Sequence, residues 1–193
     1  MSTLSEFFDQ RAPAWDDYST DSEEVILGLL SATPIQGSQS VLDLGCGTGV
    51  LTPILAKLTQ GQILGIDLSK EMISRAKSKN PCKNRAKFLC QDFYSLEGMK
   101  FDHIVCYNAF PHFLDVEGYA KKASELLSEG GYLTIAHDRG RIALDRHHGN
   151  VDAFSISRKL LPVEEQVKPF LPYFEEVLLS EDDSHYRIVL QRK

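Results

Sequence analysis

From residue 38 onward the chain alternates short apolar runs with stretches in which apolar residues recur every third or fourth position. That is the order expected of a doubly wound parallel α/β sheet. Strands are predicted at 40–45, 63–68, 86–92, 101–108 and 132–138, rich in Val, Ile and Leu on both faces, as strands covered on both sides must be. Two more, at 174–181 and 185–192, alternate apolar and polar residues across the short turn Asp182-Asp183-Ser184 and read as a closing hairpin. Helical spacing covers 50–58, 70–79, 116–127 and 163–171. Ser69 is a fitting N-cap, with Met72, Ile73 and Ala76 on one apolar face behind it. Ahead of the sheet, 5–15 and 22–30 read as helices separated by a polar stretch. The expectation is an α/β fold of seven strands, the last antiparallel, in one domain: a helical cap over 1–37 and a sheet-forming core over 38–193.

Composition narrows the function classes. With 21 Lys and Arg against 27 Asp and Glu, the net charge of −6 gives no electrostatic footprint for nucleic acid or an anionic membrane. No apolar run approaches the roughly 18–20 residues of a membrane span, and the opening MSTLSEFFDQ lacks the order of a secretory signal, so a cytoplasmic protein is expected. Cys46, Cys82, Cys90 and Cys106 form no CxxC pair, so reduced thiols are expected rather than a disulfide frame or a zinc site.

The strongest chemical signal is VLDLGCGTGV over 41–50, a strand running into Gly45-x-Gly47-x-Gly49 and then a helix. Glycines there let the backbone turn sharply and let a ligand approach the main chain. Asp67 stands at the end of the second strand, where a carboxylate can accept both ribose hydroxyls of an adenosine. A dinucleotide site competes for this reading, but its fingerprint is Gly-x-Gly-x-x-Gly. Here the spacing differs, and Asp43, two residues before the first glycine, is a poor neighbour for a pyrophosphate. A carboxylate suits a cation, and S-adenosylmethionine carries a sulfonium and an ammonium with no phosphate.

With these residues in place, the chain resembles the class I S-adenosylmethionine-dependent methyltransferases, of the small-molecule type, over nearly its whole length. The resemblance implies a Rossmann-like sheet and S-adenosylmethionine as cofactor. It places Asp43, Gly45, Cys46, Gly47 and Gly49 on the methionine part, Asp67 on the ribose, and Leu68 and Met72 near the adenine. Cys90-Gln91-Asp92-Phe93 resembles the third-strand motif, whose acid bonds the adenine amino group. Tyr107-Asn108-Ala109 resembles the fourth-strand mouth facing the sulfonium, and the Gly130-Gly131 turn resembles the end of a helix before strand five. The segment from Phe7 to Asp16 resembles a family cap that folds over the cofactor and excludes water. It holds the single tryptophan, Trp15, while Arg11 and Tyr18 are candidate contacts to the cofactor carboxylate or substrate.

The acceptor end is expected at the carboxyl ends of strands four and five and in the connection that follows. Of six histidines, His112, His137, His147 and His148 fall there, the last two in a loop over 138–149; His103 and His185 read as packing or surface residues. His112 and His137 are candidate general bases. A second reading has His112, His137 and His148 holding a divalent metal, and a third makes the chain a non-catalytic cofactor or metal sensor. Arg139, Arg141, Arg146, Arg158 and Lys159 make this connection locally basic, which favours an anionic acceptor. The partner expected is a small-molecule methyl acceptor for a monomer or homodimer, with neither nucleic acid nor membrane involved.

Overall fold

The computed structural model describes residues 3–17, 22–148 and 156–193, and over 145–148 the backbone alone. In chain order the elements are α1 (Leu4–Arg11), a 3-10 segment (Ala12–Asp17), α2 (Glu23–Leu30), β1 (Val41–Leu44), α3 (Thr52–Leu58), β2 (Ile63–Asp67), α4 (Lys70–Lys79) and β3 (Ala86–Cys90). There follow β4 (Phe101–Tyr107), a 3-10 turn (Phe110–His112), α5 (Val116–Leu126), β5 (Leu127–His137), α6 (Arg141–His148), α7 (Val163–Gln166), β6 (Phe174–Glu181) and β7 (Tyr186–Arg192). The strands form one seven-stranded sheet in the order β3-β2-β1-β4-β5-β7-β6. The first five run parallel, and β7 runs antiparallel to both of its neighbours.

The both-face apolar runs occupy the middle of the sheet because both faces there are covered. All four residues of β1 are buried, whereas β3, at an edge, alternates and leaves Leu89 and Cys90 exposed. On one face α5 and the 3-10 segment Lys168–Phe170 cover a core built around Phe110, Tyr119, Phe170, Phe174 and Tyr186. On the other, Ile26, Leu29 and Leu30 of α2 and Ile54 and Leu55 of α3 pack over Val41, Val105 and Ala136. Capping is local and legible: Thr3 and Glu6 form a capping box on α1, and Ser22, Ser69 and Asp115 cap α2, α4 and α5. Among the described residues no helix is long and apolar enough to cross a membrane.

Several boundaries differ from the sequence reading, each for a local reason. The helix predicted over 5–15 stops at Arg11 and tightens to 3-10, since Pro13 cannot continue an α-helical ladder. Pro169 likewise splits the predicted 163–171 helix into α7 and a 3-10 turn. The regular part of α3 opens at Thr52 with Pro53 in its first turn, rather than at Val50. Gly130 and Gly131 do not end a helix: α5 gives way to β5 at Leu127, and Gly130, at φ +70°, bends the strand where its register against β4 shifts. The predicted loop carrying His147 and His148 is helical up to His148.

Candidate functional site

The sheet reverses its winding between β1 and β4, so their carboxyl ends flank the crevice where ligands of such sheets bind. The loop after β1 lines it, with Gly45, Gly47 and Gly49 all at positive φ. A Cβ on Gly45 would stand 2.6 Å from the Cβ of Ala109 after β4, and its φ of +71° already disfavours an L side chain. Gly45→Ala is therefore expected to cost about 1–3 kcal/mol of stability and to open the crevice mouth, read by urea denaturation. A change below about 0.5 kcal/mol would show that the loop tolerates another path.

Asp67 organises the loop. Its Oδ2 accepts from the Gly47 amide at 2.9 Å and its Oδ1 from the Ser69 amide at 2.8 Å, so one carboxylate ties the glycine loop to the start of α4. Burial pushes its carboxyl up, partly offset by these amide donors. Asp43 is buried beside it at 2% exposure, and its Oδ2 has no hydrogen-bond partner among the described residues. Burial, then the charge of Asp67, pushes Asp43 up to about 8.

The folded-state value of Asp43 lies above its unfolded one, so the native protein holds the proton more tightly and loses stability as pH rises towards about 8. Asp67 acts in the same direction. His103, buried and pushed down by desolvation to about 4, opposes folding only where the unfolded imidazole is charged, below about its ordinary 6.5. Above that pH the ligand-free protein should lose up to about 1.4 kcal/mol per pH unit, and Asp43→Asn should flatten the slope. Urea midpoints across that window test this, and equal slopes for both proteins would remove Asp43 as the cause.

The N-terminal segment closes over this crevice through contacts the sequence did not reveal. Asp9 Oδ1 accepts from the Ser69 hydroxyl at 2.5 Å and the Glu71 amide at 3.2 Å, and the Ser69 hydroxyl holds Asp9 below its usual range. Asp16 accepts from the Thr48 hydroxyl at 2.5 Å and from Lys79 at 2.7 Å; burial raises it, but these bonds outweigh burial and hold it low. Trp15 Nε1 lies 3.8 Å from where a Cβ of Gly47 would be. Phe8 bridges the cap to the acceptor side, edge-on to Trp15 at 5.6 Å and to His112 at 4.9 Å between ring centroids. Arg11 instead lies over Phe7 and donates to the Phe7 carbonyl on its own helix, and Tyr18 lies outside the described residues.

The remaining predicted residues divide between crevice and core. Leu68, next to Asp67, is 40% exposed, and Asp92 is exposed, accepting from the Tyr94 amide at 3.0 Å. Cys46, Met72 and Phe93 are buried: Cys46 packs with Ile73, Ala76 and Phe88 beneath the loop, and Phe93 stacks into the core against Phe113 and Tyr119. All four cysteines are free. Asn108 adopts φ +52°, its Oδ1 accepting from the Asp138 amide at 3.2 Å, which ties the ends of β4 and β5 together. His112 lies on the turn after β4, its Nδ1 3.0 Å from the Ile156 carbonyl. His137, at the end of β5, is 1% exposed and packs edge-on to Tyr186. Among the described residues no group of three His, Cys, Asp or Glu side chains is placed to hold a metal ion; the side chains of His147 and His148 lie outside them.

Residues 41–131, from β1 through the glycines of β5, match the family model of the methyltransferase domain. The likeness is therefore to methyltransferases. A curated protein similar to this chain, the malonyl-[acyl-carrier protein] O-methyltransferase of Acetivibrio thermocellus, is 26% identical over 170 residues, 86% of this chain and 58% of the relative. Other curated relatives it matches are spanned over 31% to 50% of their length. Two solved structures show the same fold. The methyltransferase bound to the Trm112 activator of Haloferax volcanii superposes with a TM-score of 0.85 at 20% identity, over 98% of this chain and 97% of that one. The N-methyltransferase NodS of Bradyrhizobium japonicum, in complex with S-adenosyl-L-homocysteine, gives 0.73 at 16% identity over 99% of both chains.

Proposed function

We propose that this chain is a methyltransferase that uses S-adenosylmethionine to methylate a small-molecule acceptor, in the crevice between the glycine loop, the N-terminal cap and the turn after β4. The observation that carries this reading is Asp43: a buried carboxyl with an unsatisfied oxygen, beside a second acid already bound by two amides, suits a cationic ligand better than a phosphate. The product-bound NodS and the malonyl carrier-protein relative lend support at the level of cofactor and reaction class.

When bound, the cofactor supplies an electrophilic methyl group. Asp67 would hold the ribose, Asp43 would meet the cationic end, and Gly45 and Gly47 would let that end approach the backbone. Phe8 and Trp15 would exclude water and hold the reacting centres in line. His112 is the proposed base. A carbonyl only accepts, so the Ile156 contact places the imidazole proton on Nδ1 and the basic lone pair on Nε2. His137, buried against Tyr186, supports the end of β5 in this scheme rather than touching the acceptor.

Calorimetric titration with S-adenosylhomocysteine tests the cofactor, and transfer of a labelled methyl group to a panel of small acids, phenols and amines tests the activity. Failure to bind at millimolar concentration would end this reading, whereas tight binding without transfer to any acceptor would favour a cofactor sensor. For an acceptor that carries a proton, His112→Ala should lower kcat about 100-fold and leave S-adenosylhomocysteine affinity within about twofold. An equal loss in both would make His112 part of the cofactor site instead.

A further inference from the structure

On the inner side of the turn that carries His112 lies a guanidinium that pairs with no carboxylate among the described residues. Arg158 is half-buried, its Cζ 4.4 Å from the centroid of the Phe110 ring. Its Nε donates to the Phe113 carbonyl at 3.0 Å, and one terminal nitrogen donates to Gln166 Oε1 at 2.8 Å and to the Lys159 carbonyl at 3.3 Å. Its amide donates to the Pro111 carbonyl at 2.9 Å, so the side chain is fixed at both ends against the turn. The other terminal nitrogen is buried and has no hydrogen-bond partner among the described residues, and Arg158 forms no ion pair with any described carboxylate.

The groups closest to it electrostatically are also donors. The Tyr119 hydroxyl is buried and has no oxygen partner among the described residues, only the thiol of Cys106, a weak acceptor that burial pushes up to about 12 and so keeps protonated. The Tyr94 and Tyr186 hydroxyls are spent on the carbonyls of Asp115 and Leu161. One terminal nitrogen of a fixed cation and a phenol thus meet inside an aromatic shell with no oxygen acceptor for either among the described residues. A buried charge of this kind is costly unless something pairs with it.

We propose that Arg158 and Tyr119 form an anion subsite for the acceptor and that the acceptor carries a carboxylate. This rests on the reading of the neighbouring crevice as a methyl-transfer site. The turn is shared: His112 faces the cap through Phe8 on one side, while Arg158 holds Pro111 and Phe113 on the other. One carboxylate oxygen meets the free guanidinium nitrogen and the other the phenol, which places the attached carbon skeleton under the turn. A tetrahedral phosphate asks for more donors than these.

The probe is acetate, measured by thermal unfolding of the full chain with and without S-adenosylhomocysteine, against acetamide, inorganic phosphate and chloride at equal ionic strength. Acetate is expected to raise the midpoint with saturation, while acetamide, phosphate and chloride do not. Arg158→Met is expected to abolish the acetate response and leave S-adenosylhomocysteine affinity within about twofold. Tyr119→Phe, which keeps the packed ring, is expected to weaken acetate several-fold and answers the question should Arg158→Met fail to fold. An acetate response no larger than that of chloride, one equalled by phosphate, or one unchanged in Tyr119→Phe and Arg158→Met would overturn the subsite. Loss of S-adenosylhomocysteine binding with the acetate response intact would instead count against the cofactor reading alone.

Discussion

Replacing Asp67 by alanine is expected to cost about 100-fold or more in affinity for S-adenosylhomocysteine. The carboxylate accepts from the amides of Gly47 and Ser69, and both donors would be left buried without it. Charge-assisted bonds of this kind are worth about 1.5–3 kcal/mol each, and 2.8 kcal/mol is already about 100-fold in a dissociation constant. The loss should exceed that of a ribose contact alone, because Asp67 also sets the path of the loop that carries Gly45 and Gly47. Asp67→Asn keeps one acceptor oxygen and should fall between the two. Calorimetric titration of the three proteins decides it, and an alanine variant that binds within about threefold of the wild type would mean that Asp67 shapes neither loop nor ligand.

The second large effect is a pH dependence of cofactor affinity set by Asp43. In the ligand-free protein this carboxyl titrates at about 8, because burial and the charge of Asp67 both disfavour its ionised form. A cation placed beside it reverses that preference, so binding expels a proton wherever the free protein is protonated. Affinity for S-adenosylmethionine should therefore rise with pH through the neutral range, up to about tenfold per unit below the Asp43 value. Asp43→Asn should bind weakly at every pH and lose this slope. Titrations in buffers of different ionisation enthalpy would count the proton directly. A flat profile with no proton released would place the cationic end of the cofactor away from Asp43.

Both predictions concern residues that short-range sequence pattern already marked, and there is a physical reason for this. Three positive-φ glycines after a buried strand, with an acid at the end of the next, are requirements of the backbone itself, and they show as residue types at fixed spacing. Three of the boundaries missed by the pattern lie where proline or a bent glycine interrupts a ladder, at Pro13, Pro169 and Gly130. There the apolar period runs on after the hydrogen bonding has changed.

Other residues carry no such mark. Asp9 and Asp16 look like solvated acids of a polar N-terminal segment, yet they are bonded to Ser69 and Thr48, which lie 60 and 32 positions away. His112 and His137 read alike, as histidines after neighbouring strands; tertiary packing put one on a turn against the cap and buried the other against Tyr186. Arg158 stood among other basic residues of one connection, and only the closing of that connection over Phe110 separated it from Arg141, which pairs with Glu181.

By itself, then, the sequence determined the alternation of strands and helices, the closing hairpin and the acidic glycine loop, because each depends on the conformational preference or burial pattern of residues close in the chain. The contacts that close the cap and the surroundings of the histidines and of Arg158 were decided by the tertiary structure alone. Those follow from which distant side chains meet once both faces of the sheet are covered, and no local period records that.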